Sequence, residues 1–304
     1  MQVDTIIKQL LFSTVHIRAQ TTEGVSTGTG FVYDASKNSE SSVPVLVTNK
    51  HVIKDASRVV VRFIGRRENE DAPDLGNPVE VFFDDLSGWT GHPRDDIDVI
   101  ATFIGPALNQ ANDLGKPVFF RNPGIEQFPG DDVIPYLDAI EDVLFVGYPN
   151  GLYDQVNHTP IARRGATATP LHLDWNGTPA FLVDASVFPG SSGSPVFLVQ
   201  SGQYRTATGM QLGGPPRIAL LGVVAAVMLQ RDTGQIVTRV SERHQVEFDQ
   251  MIDLGIVYNW RALDETVDAL CDRFGVNRGQ STPAAPPQVP ARPASAVERG
   301  EPLQ

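Results

Sequence analysis

The sequence predicts an all-β protein built as two six-stranded antiparallel β-barrels, followed by a C-terminal helix. Three observations carry that expectation. Short β-branched or aromatic segments recur between turn residues, six of them in residues 10–105 and six more from residue 142 onward. Residues 106–141 lose that rhythm and are rich in Pro, Gly, Asn and Asp, as a connection between two lobes would be. Residues 260–274 then carry apolar side chains on one helical face.

The first barrel, about residues 10–105, is expected from "FSTVHIRA", "GTGFVYD", "VPVLVTN", "RVVVRFIG", "VEVFFDD" and "IDVIATFI". The second, about 142–240, is expected from "DVLFVGYP", "PIARRGATAT", "PAFLVDAS", "SPVFLVQ", "RIALLGVVAAVML" and "QIVTRVS". Two equal sets point to two antiparallel barrels side by side. In the helix, Leu263, Val267, Leu270, Cys271 and Phe274 share one face, so Cys271 reads as a core residue. Residues 1–275 form the folded unit. Residues 276–304 are Pro- and Ala-rich with little to bury, and read as a disordered tail.

Composition narrows the function classes. The chain has 304 residues, 41% apolar and 20% charged, which is the make-up of a soluble globular protein. With 24 basic against 36 acidic residues the net charge is −12, which argues against nucleic-acid or anionic-membrane partners. A single cysteine rules out an internal disulfide and leans toward a reducing compartment. Asp4, Lys8 and Gln9 interrupt the apolar N-terminus, so it does not read as a signal peptide. The longest apolar run, residues 218–229, has 12 residues. A membrane-spanning helix needs roughly 20. A cytoplasmic protein is expected. No metal and no cofactor are expected either: His and carboxylates do not recur at ligand spacings, and "GVSTGTG" lacks the spacing of a nucleotide loop.

The candidate chemistry lies in "PGSSGSP", residues 189–195, which read locally is a turn. A serine hydroxyl becomes a nucleophile only beside a neutral imidazole, itself oriented by a carboxylate, with donors aimed at the developing oxyanion. Of six histidines, His92 and His158 sit in polar loops, His16 and His172 alternate with apolar residues, and His244 follows a charged stretch. His51 ends the strand-like "VPVLVTNKHVI" and opens a corner. For carboxylates, "RDDIDVIATFI" offers Asp95, Asp96 and Asp98.

Taken in order, "GTGFVY", "LVTNKHVI", "DIDVIATFI" and "DASVFPGSSGSPVF" resemble the trypsin/chymotrypsin superfamily of serine proteases. The resemblance is to its non-zymogen bacterial branch, which includes the high-temperature-requirement proteases. "VLFVGYPNGL" and "RRGATAT" resemble that branch's strand, loop and strand before the nucleophile, and the match runs from about residue 10 to 240. It implies chymotrypsin-like barrels and a polypeptide substrate, with Ser192 as nucleophile and His51 as base. The N–H groups of Gly190 and Ser192 would form the oxyanion hole.

The triad carboxylate stays open between two positions. Asp98 is favoured, because the strand from Val99 to Ile104 is then uncharged. With Asp96 in the role, Asp98 would be buried at a desolvation cost, although Ile97, Val99 and Ile100 fit that spacing too. Ser191 stands where digestive proteases carry an Asp that pairs with an activation-released N-terminus, so no zymogen step is expected. Ser186 falls at the base of the specificity pocket, with Val224, Ala225 and Ala226 along its wall, which implies cleavage after small or medium apolar residues. The competing reading is a protease-like peptide-binding or regulatory module, and an intact His51–Asp98–Ser192 set favours the enzyme over it. A serine esterase is a third possibility.

Overall fold

The computed structural model describes residues 1–37, 42–124, 127–130, 133–186, 190–214, 216–239 and 242–279, and between 226 and 252 only the backbone. In chain order the elements are α1 (Ile6–Leu10), β1 (Thr14–Thr21), β2 (Gly24–Asp34), β3 (Pro44–Thr48), β4 (Arg58–Arg66), β5 (Pro73–Phe83), β6 (Thr90–Gly91) and β7 (Ile100–Phe103). Then come α2 (Gly105–Asp113), β8 (Val118–Phe119), β9 (Asp142–Gly147), β10 (Ile161–Thr167), β11 (Ala180–Asp184) and β12 (Pro195–Gln200). The chain continues with β13 (Gln203–Thr206), β14 (Gly209–Leu212), β15 (Arg217–Arg239), β16 (Glu242–Asn259) and α3 (Trp260–Phe274).

The N-terminal strands pair antiparallel in the order β5-β4-β1-β2-β3-β7-β6, with β8 on β4. This is an eight-stranded sheet rather than the expected closed six-stranded barrel. Among the described residues β5 and β6 do not pair, and β6 is two residues long. Helix α2 lies against β5 and packs Ala107 and Leu108 on its cluster. A helix laid on an edge strand protects it without closure.

The C-terminal half does close, in the order β10-β11-β16-β15-β12-β9. Its last strand is not the expected "QIVTRVS", whose first five residues belong to the long β15 and whose last two lie outside the described residues. The sixth strand is β16, where Leu254–Tyr258 pair with Asp184–Ala180 of β11. The barrel therefore ends at Asn259 rather than near residue 240. The charged first half of β16 hides the strand from a reading based on apolar alternation.

Strands β2 and β3 explain why the sequence is so apolar there. Val32 and Leu46 face a cluster with Val15, Ile17 and Val61. Phe31, Tyr33, Val45 and Val47 face the opposite way, onto Leu144, Phe197 and Leu220 of the barrel and onto α3. With both faces buried, alternation gives way to a continuous apolar run. The α3 stripe of Leu263, Val267, Leu270 and Cys271 closes this central cluster, and burial pushes the Cys271 thiol pKa up. Asn259 caps the helix by accepting from the Arg261 N–H at 3.1 Å. Past Gly275 the chain folds back: Arg278 is buried and pairs with Asp264 at 2.7 Å and Asp268 at 2.5 Å. Residues 280–304, most of the expected tail, lie outside the described residues. Among the described residues no helix is long and apolar enough to cross a membrane.

His16 on β1 is buried and stacks on Tyr148, with ring centroids 5.0 Å apart. Neither ring nitrogen has a hydrogen-bond partner. Burial, helped by Arg62 and Arg18, pushes its pKa down to about 4. An unfolded chain binds the proton near pH 6.5, so stability is present above that pH and is lost as pH falls toward 4. The loss is expected to be on the order of 3 kcal/mol, read from urea midpoints at pH 7 and pH 4. His16→Phe should flatten this part of the profile.

Candidate active site

His51 sits on a single 3-10 turn, Lys50–Val52, that follows the end of β3. Because β3 and β7 pair with Thr48 opposite Ile100, the residues just past β3 lie beside those just before β7. Asp98 is there. Its Oδ2 meets His51 Nδ1, and its Oδ1 accepts the His51 backbone N–H at 3.0 Å. Asn49 Nδ2 donates to the Asp98 carbonyl at 2.5 Å. Both carboxylate oxygens are thus engaged by one residue, which aims the imidazole. Asp96 points elsewhere: Arg94 holds it at 2.7 and 3.1 Å and lowers its pKa. Asp95 is exposed.

Ser192 occupies the turn before β12. Ser191 and Ser194 are fully buried, whereas Ser192 keeps partial access. The Ser192 hydroxyl donates to the Ala225 carbonyl at 3.1 Å, so its partner is β15 rather than His51. The turn is latched to β15 by Gly193 N–H to Val224 O at 2.8 Å and Val224 N–H to Ser194 O at 2.9 Å. Gly190 has φ +82, and a Cβ there would meet Asn150 N at 2.7 Å and Tyr148 O at 2.8 Å. Only glycine fits this position.

Two residues at the site escaped the sequence reading. The first is Thr29 of β2, fully buried between the two halves. Its hydroxyl donates to Gly190 O at 2.9 Å and accepts the Tyr148 N–H at 2.9 Å, while its own N–H donates to Ser192 O at 2.9 Å. Thr29→Val strips the partner from the Gly190 carbonyl and the Tyr148 N–H together. A loss of about 2 kcal/mol or more is expected from the urea midpoint, with Thr29→Ser close to wild type. The second is Arg163 of β10, which donates to Ser191 Oγ and to Ser186 O, each at 2.5 Å.

The expected specificity residues divide. Ser186 is exposed, and its carbonyl is taken by Arg163. Val224 belongs to the barrel's interior cluster with Phe145 and Phe181, so its side chain is core rather than pocket wall. Ala225 is buried and supplies the carbonyl that holds Ser192. The Ala226 side chain lies outside the described residues. Among the described residues no three metal-ligating side chains converge.

Residues 28–204 match the family model of a trypsin-like peptidase domain. No curated protein matches the chain. Among solved structures, the active form of the Rv3671c protease from M. tuberculosis is 17% identical, with 92% of this chain and 86% of that one covered and a TM-score of 0.45. The serine endoprotease from Yersinia pestis is 16% identical over 90% of this chain and 67% of that one, with a TM-score of 0.46. The HtrA-type protease AlgW with a tripeptide is 14% identical over 88% and 63%, with a TM-score of 0.45.

Proposed function

The chain belongs to the trypsin-like peptidase family and is a peptidase, and from that premise we propose that it is a serine endopeptidase acting through Ser192, His51 and Asp98. The reading rests on one observation above all: both oxygens of Asp98 bind His51, one at the ring Nδ1 and one at the backbone N–H. That arrangement supports a role for His51 as base, with a proton on Nδ1 directed to Asp98 and Nε2 left to accept.

Catalysis then runs as follows. The Ser192 hydroxyl leaves the Ala225 carbonyl by rotation about χ1, and Nε2 of His51 takes its proton as Oγ attacks the scissile carbonyl. The imidazolium is stabilised by Asp98 and returns the proton to the leaving amine. The N–H groups of Gly190 and Ser192 receive the oxyanion. Water, activated by the same imidazole, releases the acyl group. Cleavage is proposed after small or medium apolar residues, and a peptide-library profile dominated by Arg or Lys would overturn that choice. No zymogen step is needed, because Ser191 carries no charge that awaits a new N-terminus.

A second reading, a peptide-binding module with little catalysis, is favoured by the bond from Ser192 to Ala225 rather than to His51. Fluorophosphonate labelling separates the two. The expected result is a label on Ser192 of the uncleaved chain, located by peptide mapping and absent from Ser192→Ala. Wild-type protein that stays as unlabelled as that variant belongs to the second reading.

A further inference from the structure

We infer that Arg163 is a positioning residue, an internal cation that holds the Gly190–Ser192 turn in its working shape. The inference rests on the reading of Ser192 as the nucleophile. Arg163 stands opposite Phe145 in the β10–β9 register, and its guanidinium lies over the Phe145 ring, 4.6 Å from the centroid. From that platform Nη2 reaches Ser191 Oγ and Nη1 reaches Ser186 O, both at 2.5 Å. Ser191 is fully buried and immediately precedes Ser192. One planar group on a barrel strand therefore grips the nucleophile turn at Ser191 and the chain leaving β11 at Ser186.

A cation is costly in this place. Burial pushes the Arg163 pKa down to about 10, and an apolar side chain of the same length would stack on Phe145 without that penalty. What an apolar side chain cannot supply is a rigid fork of donors. Lysine could supply a charge but not two parallel N–H groups in one plane. The turn needs such a grip because its chemistry depends on the direction of two backbone N–H groups, and a displacement of about 1 Å costs roughly 100-fold in rate. Where an acidic residue before the nucleophile would call for a cation from a new N-terminus, a neutral Ser191 is held by a cation already present in the fold.

The test uses Arg163→Ala, Arg163→Met and Ser191→Ala in the full chain, with hydrogen exchange, fluorophosphonate labelling, cleavage of a peptide series varied before the scissile bond, and a melting temperature for each. Hydrogen exchange of the 190–194 amides is expected to quicken in the Arg163 variants, while exchange elsewhere in the C-terminal barrel holds. Fluorophosphonate labelling is expected to slow 10- to 100-fold, with Ser191→Ala in between. Added methylguanidine should restore part of the rate in Arg163→Ala and none in Arg163→Met, whose side chain fills the space. Unchanged exchange at 190–194 overturns the assignment, and so does exchange that rises equally throughout the barrel. A loss confined to peptides with Asp or Glu before the scissile bond also overturns it, and makes Arg163 a specificity residue. If exchange responds while wild-type protein takes no label, the positioning role stands and the nucleophile reading falls.

Discussion

Asp98→Asn is expected to lower kcat by about 10⁴-fold with little change in KM, while Asp96→Asn stays near wild type. The size of the effect follows from which atoms the carboxylate touches. Oδ1 accepts the His51 backbone N–H at 3.0 Å, and only an oxygen can do so. An asparagine must therefore place its amide oxygen there and turn its NH₂ toward His51 Nδ1. Nδ1 then has to accept, which moves the ring proton to Nε2 and removes the base that the proposed mechanism needs for Ser192. The fold should be unaffected, because Asn49 binds the backbone carbonyl of residue 98 rather than its side chain. Asp96 carries no such duty, since its carboxylate is exposed and paired with Arg94. Steady-state kinetics on one peptide substrate checks both variants, and equal losses from the two would remove Asp98 from the mechanism.

What could be read from the sequence follows a physical divide. Elements with a strong apolar pattern were legible: most strands of both halves, though not β16, and α3, whose stripe meets the central cluster at Leu263, Val267 and Leu270. His51 and Ser192 were singled out by the order of the motifs around them and the family resemblance those motifs carry, since the Gly-Ser run read by itself is only a turn. Asp98 was favoured over Asp96 on the absence of charge in the strand that follows, whereas the contacts that separate the two, Asp98 with His51 and Asp96 with Arg94, depend on the pairing of β3 with β7 and carry no local signature. Contacts between distant segments were not legible. Thr29 reaches Gly190 and Arg163 reaches Ser191 through the packing of one strand on one turn, which no local periodicity encodes. A usable signal did exist at "RRGATAT". Adjacent strand residues point to opposite faces, so one of Arg163 and Arg164 had to turn inward. Arg164 is exposed and Arg163 is the inward one. The closure of the first half was misjudged for a similar reason, because strand counting does not see that α2 lies on β5.

The other large effect is one of space. Gly193→Ala is expected to destabilise the protein by about 3 kcal/mol or more, enough to cut soluble yield as well as the urea midpoint. Gly193 has φ +85, and a Cβ built there overlaps the Thr29 carbonyl oxygen and lies 2.6 Å from Thr48 Oγ1. Neither neighbour can retreat. Both are fully buried, and the Thr48 hydroxyl is itself bonded to that Thr29 carbonyl at 2.7 Å. Any shift of β2 would also pull the Thr29 N–H from Ser192 O, so activity should fall along with stability. Backbone strain is separated from crowding by Gly177→Ala. Gly177 has a similar φ of +75 but nothing within 4 Å of a built Cβ, so only the strain of about 1 kcal/mol should appear. If the two alanines cost the same, the close approach of the 190–194 turn to β2 is not what demands glycine at 193.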